Sequence, residues 1–420
     1  MCHNIQMAGP HTITKHNLAR KNTSVRLQRR RNPQVEIQNK EPYVEGKYFI
    51  YKRYESSATS VLFLQSEQGK KCFFCAKTWL PCTNEVYLTN TLDKRRQYTI
   101  EGLAYNRQFA HNIYLGIAPI TQQDNKTITL GKLIKHPDST NIDLSAEYVT
   151  IMKELKQSSR LDLQLQRRNS ETNIGLQRLA IQIARMHKGL TTPLQNQNIL
   201  ETTKKKWHLN QQCLHRAIKK SFPPFLAILL YYIFYILMSF MHKTCSKDIQ
   251  QRQGKVKRCH GDLKTNNIWI VGKQFNALDC VDFQPDFCNI DTLSDVAMLT
   301  MDLEVQLSQQ SNLSKREVRS LLNTFIEVYL NAMGENNAPS RLLLEYYLTE
   351  KAIVCAYMCI LFDSEYDANL LEQGKKYLKT ALSHAGLLFI CIAKKPLKQL
   401  ASITWFNILN KSLAHSAHMS

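Results

Sequence analysis

Residues 260–283 constrain this chain more than any other stretch. The run His260-Gly261-Asp262-Leu263-Lys264-Thr265-Asn266-Asn267-Ile268-Trp269-Ile270 puts an acid and an amide five residues apart on a polar loop that ends in an apolar strand. Gly272-Lys273 supplies a turn, and Leu278-Asp279-Cys280-Val281-Asp282-Phe283 returns with further acids. A hairpin of this kind gathers oxygen donors at its mouth. Phosphoryl transfer requires such a gathering: a carboxylate to orient or deprotonate the attacking hydroxyl, and hard oxygen ligands for Mg²⁺. Asp262 suits the first task, and Asn267 and Asp282 suit the second. The plain alternative is a β-hairpin with a polar mouth. Three chemically matched residues at the required spacing favour the catalytic reading.

With 420 residues, 44% hydrophobic and 21% charged, the chain is long enough to bury one large core or two to three smaller ones. The net charge of +21 suits partners such as nucleic acid, an anionic membrane or a nucleotide. Part of the excess is local. Lys15, Arg20, Lys21, Arg26, Arg29, Arg30, Arg31 and Lys40 lie in a first segment nearly free of acids, which reads as a solvated tail. Aromatic residues do not interleave these charges, so the stacking half of single-strand binding is missing there.

The twelve cysteines are scattered. The amino terminus lacks a basic head followed by an apolar core, and reduced thiols in a cytoplasmic protein are the simplest expectation. Cys72-Phe73-Phe74-Cys75 has the short spacing of a zinc pair, but the run is strand-like, and a strand sends these two thiols to opposite faces.

Strand patterns cover 48–54, 61–64, 72–77, 114–120, 126–130 and 148–152, and one helix is expected over 92–109 with Ile100, Leu103 and Ala104 on its apolar face. Helical patterns follow over 174–188, 196–220, 223–243, 293–306, 314–333, 340–362 and 366–384. The expected class is therefore α+β: a small strand-rich amino-terminal lobe and a larger helical carboxy-terminal lobe with the site between them. The boundaries are a basic flexible tail over 1–44, a small lobe over 45–154, a helical lobe over 155–390 and a basic tail over 391–420.

Phe222 to Met241 carries no charge. About twenty helical residues match a bilayer core, and Lys219, Lys220 and Lys243 flank the run. A span would put two parts of the same lobe on opposite sides of a membrane. A buried helix, or one half-exposed toward a partner, is the expected state, with a membrane-surface helix as the alternative.

These residues resemble the aminoglycoside phosphotransferase-like kinases, and more narrowly the kinase-like half of bacterial proteins that join such a domain to a P-loop ATPase. The resemblance rests on His260–Ile268, on Asp279-Cys280-Val281-Asp282-Phe283, and on Ile290-Asp291-Thr292-Leu293-Ser294-Asp295-Val296-Ala297. Upstream, Ala76-Lys77-Thr78-Trp79-Leu80-Pro81 is similar to the family's lysine strand. Leu92 through Glu101 and Asn106-Arg107, then Tyr114-Leu115-Gly116, are similar to its helix and next strand. The similarity runs with gaps from about Glu55 to about residue 385. Gly-x-x-x-x-Gly-Lys-Ser/Thr and Gly-x-Gly-x-x-Gly are both absent from the sequence, so the fused ATPase is missing. The loop over the phosphates would be Ser56-Ser57-Ala58-Thr59-Ser60.

The resemblance implies a bilobal protein-kinase-like fold and an ATP- and Mg²⁺-dependent transfer of the γ-phosphate to a hydroxyl of a small-molecule acceptor. It implies that Lys77 holds the α/β phosphates, that Glu101 pairs with Lys77, that Asp262 acts on the acceptor, and that Lys264 neutralises the transferring group. Asp279 and Asp282 lie an odd number of residues apart, so on one strand only one faces the metal; the resemblance selects Asp282, with Asn267 as the second ligand. The alternative function is a non-catalytic kinase-like scaffold that binds nucleic acid or an anionic membrane through the basic tail and the uncharged helix.

Overall fold

The structure, a computed structural model, describes residues 43–393 except 57, 85–86, 123, 139, 168–171, 194–197 and 364–368. The basic amino-terminal residues and residues 394–420 of the expected carboxy-terminal tail lie outside the described residues. The described residues from Val44 onward form one compact unit.

Six strands come first: β1 Gly46–Glu55, β2 Thr59–Ser66, β3 Lys71–Trp79, β4 Tyr114–Gln122, β5 Thr127–Leu130 and β6 Glu147–Lys153. They pair antiparallel in the order β1-β2-β3-β6-β4-β5, and Gly46–Phe49 of β1 closes the barrel on Thr127–Leu130 of β5. The period of two sorts their side chains. Leu62, Leu64, Phe74, Ala76, Val149 and Ile151 fill the interior. The alternate residues Val61, Phe63, Cys75, Tyr148 and Met152 pack outside, under α1 (Leu92–Ala110), with its Ile100, Leu103 and Ala110. Cys72 joins the inner cluster and Cys75 the outer one, so the two thiols face apart. Lys77 has the phase of Cys75 and emerges on the α1 side, opposite Val61 and Thr150.

After β6 come α2 Leu161–Gln166, α3 Thr172–Gly189, α4 Ile199–Ser221 and α5 Pro224–Gln251. Asn198 caps α4 by accepting from the amides of Leu200 and Glu201. The apolar sequence signal ends near Met241, but α5 runs ten residues further because Cys245 and Ile249 keep an inward stripe going. Its far half sits in the main core with Met238 and Met241. Its near half leaves Phe225, Ile228, Leu229 and Tyr232 exposed.

Next are β7 Val256–Arg258, the hairpin of β8 Ile268–Val271 and β9 Gln274–Ala277, the single turn α6 Pro285–Cys288, and β10 Asn289–Asp291, which pairs with β7. The chain then forms α7 Thr292–Ser308, α8 Lys315–Met333, α9 Ala338–Tyr357 and α10 Asn369–Ala393. Helix α7 is the axis of the helical core. Fourteen of its residues are buried, and α8 and α9 pack on it. Helix α8 has a full capping box from Ser314 and Glu317 and stops at Gly334, whose φ is +73°. The helix expected over 340–362 ends at Tyr357 and gives way to a π-helical turn, Met358–Asp363.

Candidate active site

The loop from His260 to Asn267 is held from behind by two buried carboxylates. Asp295, in the first turn of α7, accepts from the amide of Gly261 (2.8 Å) and that of His260 (3.1 Å). His187 supports it, with Nε2 3.1 Å from Asp295 and Nδ1 2.7 Å from the Tyr329 hydroxyl. His187, Asp295 and Cys259 lie close enough to suggest a metal site. Both ring nitrogens of His187 and both oxygens of Asp295 already have protein partners, so the cluster acts as a brace. Asp302 secures the other end of the loop. Its Oδ2 accepts from the Thr265 amide (2.8 Å) and hydroxyl (2.5 Å), and its Oδ1 from the Tyr377 hydroxyl (2.6 Å) on α10.

Burial lowers the pKa of His260. Nε2 donates to the Leu278 carbonyl (3.0 Å), and Nδ1 accepts from the Asp262 amide (3.3 Å). The neutral ring thus shapes the loop. Gly261 takes φ +82°, and a Cβ there would stand 2.8 Å from the Phe287 carbonyl, so only glycine fits.

Asp262 is aimed by its neighbours. Asn267 Nδ2 donates to Asp262 Oδ2 and to the Asp262 carbonyl, both at 2.9 Å, and Lys264 Nζ lies 3.2 Å from Asp262 Oδ1. Burial works against the charge of Lys264, but the attraction of Asp262 outweighs it and holds the ammonium pKa well above its ordinary value. Asp262, Lys264 and Asn267 line one cavity of about 320 Å³, together with Lys77 and Asp279. Ser56, Ala58 and Thr59 of the β1–β2 turn line it too; Ser57, from the expected phosphate loop, lies outside the described residues.

One expected pairing is not formed. Lys77 pairs with Asp279, not with Glu101. Glu101 accepts from Gln97 Nε2 (2.9 Å) one turn back on the same helix. Burial works against the Lys77 charge, and Asp279 and Asp282 outweigh it, so its pKa rises. Of the two acids, Asp279 lines the cavity and Asp282 does not. Asp282 is 8% exposed. Its Oδ2 accepts from Asn106 Nδ2 (3.3 Å), behind the cavity wall and against Gly102 of α1. Burial raises its pKa to about 7.

Asp279 and Asp282 lie beyond the strand, so the alternation of strand side chains does not govern them. In the structure β9 ends at Ala277, and Asp279 adopts φ +64°, a left-handed conformation rare outside glycine. That backbone turns the Asp279 side chain to Lys77. The Asp279 amide donates to the Tyr114 hydroxyl (2.9 Å), and the Cys280 amide to Asn106 Oδ1 (3.0 Å).

The helical wall of the cavity holds residues that sequence reasoning passed over: Lys206 and Asn210 on α4, and Glu350, Lys351 and Tyr357 on α9. Lys206 belongs to Lys204-Lys205-Lys206, which looks like a solvated run. Its helical phase was the available signal. Ile199, Thr203, Lys206, Asn210, Cys213 and Ala217 form one buried stripe.

No family model matches the sequence, and no curated protein sequence matches it. Solved structures similar to this chain include a Plasmodium vivax ethanolamine kinase, at 12% identity over 80% of this chain and 82% of that one, TM-score 0.44. A choline kinase from Cryptosporidium parvum is similar at 12% identity over 84% of this chain and 93% of that one, TM-score 0.49. A glucosamine kinase in complex with glucosamine, ADP and inorganic phosphate is similar at 12% identity over 83% and 95%, TM-score 0.41.

Proposed function

We propose that this chain is an ATP- and Mg²⁺-dependent phosphotransferase acting on a hydroxyl of a small-molecule acceptor, with a protein-kinase-like, two-lobed organisation in a cytoplasmic setting. The observation that carries the reading is the convergence of Asp262, Asn267 and the Lys77–Asp279 pair on one cavity. The donors suit a hard divalent ion: Asp279 offers carboxylate oxygens, and Asn267 spends its Nδ2 on Asp262, which leaves its carbonyl oxygen as a donor. Asn267 and Asp279 are therefore the ligand pair in this reading, in place of Asn267 and Asp282. When bound, Mg²⁺ would neutralise phosphate oxygens.

Asp262, fixed by Asn267 and Lys264, orients the acceptor hydroxyl and takes up its proton. Lys77 offers its charge to the nucleotide phosphates, and Lys264 offers its own to the group in transfer. Catalysis on this plan comes from positioning and charge. The scaffold alternative draws on the exposed apolar face of α5. The complete acid, amide and lysine set favours chemistry.

The test is a thermal-shift titration with ATP, with and without MgCl₂, on wild type, Asp279→Asn and Asp262→Asn, alongside ADP formation. Magnesium-dependent stabilisation is expected in wild type and Asp262→Asn and lost in Asp279→Asn, and turnover is lost in both variants. Absence of any shift at millimolar ATP in wild type would refute the reading. A stronger loss of metal dependence in Asp282→Asn than in Asp279→Asn would return the ligand role to Asp282.

A further inference from the structure

Seven charged side chains line the cavity: Lys77, Lys206, Lys264, Lys351, Asp262, Asp279 and Glu350. Six of them pair off: Lys77 with Asp279, Lys264 with Asp262, and Lys351 with Glu350 at 3.8 Å. Lys206 is the surplus. It is 8% exposed, and among the described residues it makes no hydrogen bond and no ion pair. The groups that face it are Glu350, Lys351, Asp286 and Asp291, which act on it at longer range. A buried ammonium with no partner is a costly arrangement. One helical turn along α4, Asn210 accepts from the Tyr357 hydroxyl (3.1 Å), and its Nδ2 lies beside Glu350 without a well-formed hydrogen bond. Lys206 therefore brings an unpaired charge to this wall, beside an Asn210 amide whose hydrogen bonding is incomplete. That wall is made by α4 and α9, which pack on each other. The Lys77 strand and the β1–β2 turn form the barrel side of the cavity, and Asp262 comes from the loop between.

We propose that the acceptor carries an oxyanion group, a phosphate, sulfate or carboxylate, which Lys206 and Asn210 bind while Asp262 addresses its hydroxyl. This rests on the phosphotransferase reading and narrows its acceptor to anions. An oxyanion supplies the charge that Lys206 lacks and an acceptor for Asn210 Nδ2. A cationic acceptor would add a fifth positive charge to a cavity whose three acids are already paired with lysines.

The experiment saturates the protein with Mg²⁺ and a non-hydrolysable ATP analogue, reads the thermal shift, and then titrates inorganic phosphate. The first shift tests the nucleotide site by itself. The second is expected to be further and saturable, with apparent affinity at least tenfold weaker in Lys206→Met and unchanged in Lys204→Met, an exposed lysine on the same helix. Glucosamine, a cation, is expected to give no added stabilisation. A normal analogue shift with no added effect of phosphate, or an equal effect in Lys206→Met, overturns the anionic acceptor alone. Loss of the analogue shift in wild type overturns the underlying reading as well. An analogue shift retained in Lys206→Met shows that the variant is folded.

Discussion

Lys206→Met should make this protein more stable, although it removes a charged residue from the candidate site. Burial takes the Lys206 ammonium from its ordinary 10.5 down to about 8, with Glu350 opposing the fall and Lys351 adding to it. At about 1.36 kcal/mol per pH unit, that displacement amounts to roughly 3 kcal/mol set against the folded state. Methionine has similar length and no charge to desolvate. Part of the gain is returned, because Lys206 helps hold the Glu350 carboxyl below its ordinary range. The net expectation is about 1–2 kcal/mol of added stability at pH 7.

The pH dependence follows in sign. Below about pH 8 the lysine is charged in both states and the folded chain bears the whole penalty. Between about pH 8 and 10.5 the folded lysine is already neutral while the unfolded one still binds its proton, so wild type gains stability and the gap narrows. The assay is urea unfolding at pH 7, 8.5 and 10, with Lys204→Met as control and a change within about 0.5 kcal/mol expected for it. If Lys206→Met is less stable than wild type at pH 7, the lysine is compensated in the fold and the surplus-charge argument fails. A gap that does not shrink toward pH 10 refutes the burial argument.

Asp282→Asn should gain on wild type as pH rises through about 7. Ionising this buried acid costs up to about 4 kcal/mol, a penalty absent at pH 4 and complete by pH 8; equal gaps in urea melts at pH 4.5 and 8 would contradict it. His384 lies 2.7 Å from both Glu304 and Glu345. Burial opposes its charge, but the two acids raise its pKa to about 9, so its stabilisation is full below about pH 6.5 and lost as pH rises through 9. His384→Gln should cost roughly 2 kcal/mol at pH 6 and little at pH 10, read from chemical melts; a cost independent of pH counts against the ion pairs. Gly102→Ala should cost about 1–3 kcal/mol, because the added methyl collides with the Asp282 carboxylate. The same change in an Asp282→Ala background should cost much less, and equal costs in the two backgrounds would refute the clash.

Much of the secondary structure was legible because its signals are local. Alternation marked the six barrel strands, and the Gly272-Lys273 turn marked the β8–β9 hairpin. The closure of β1 on β5 was not, since pairing between Gly46–Phe49 and Thr127–Leu130 depends on strand curvature rather than on any nearby residue pattern. Asp262, Lys264 and Asn267 were legible because they share one loop, and loop geometry follows spacing. Which of Asp279 and Asp282 lines the cavity was not, because it turns on a single left-handed residue after the strand has ended. Lys206 was hidden by composition: two exposed lysines precede it, and only its place on a helical stripe separates it from them.

The attachment of Thr265 and Tyr377 to one carboxylate makes the far end of the chain a structural dependency of the site. Asp302 is 2% exposed, so a truncation that removes Tyr377 strands one of its oxygens in the core at a cost of about 1–3 kcal/mol. The loop from His260 to Asn267 would feel that loss more than 100 residues upstream in sequence, through a single shared acid. Expression boundaries and fusion points placed inside α10 would therefore act as mutations of the candidate site, although no residue of the cavity is touched.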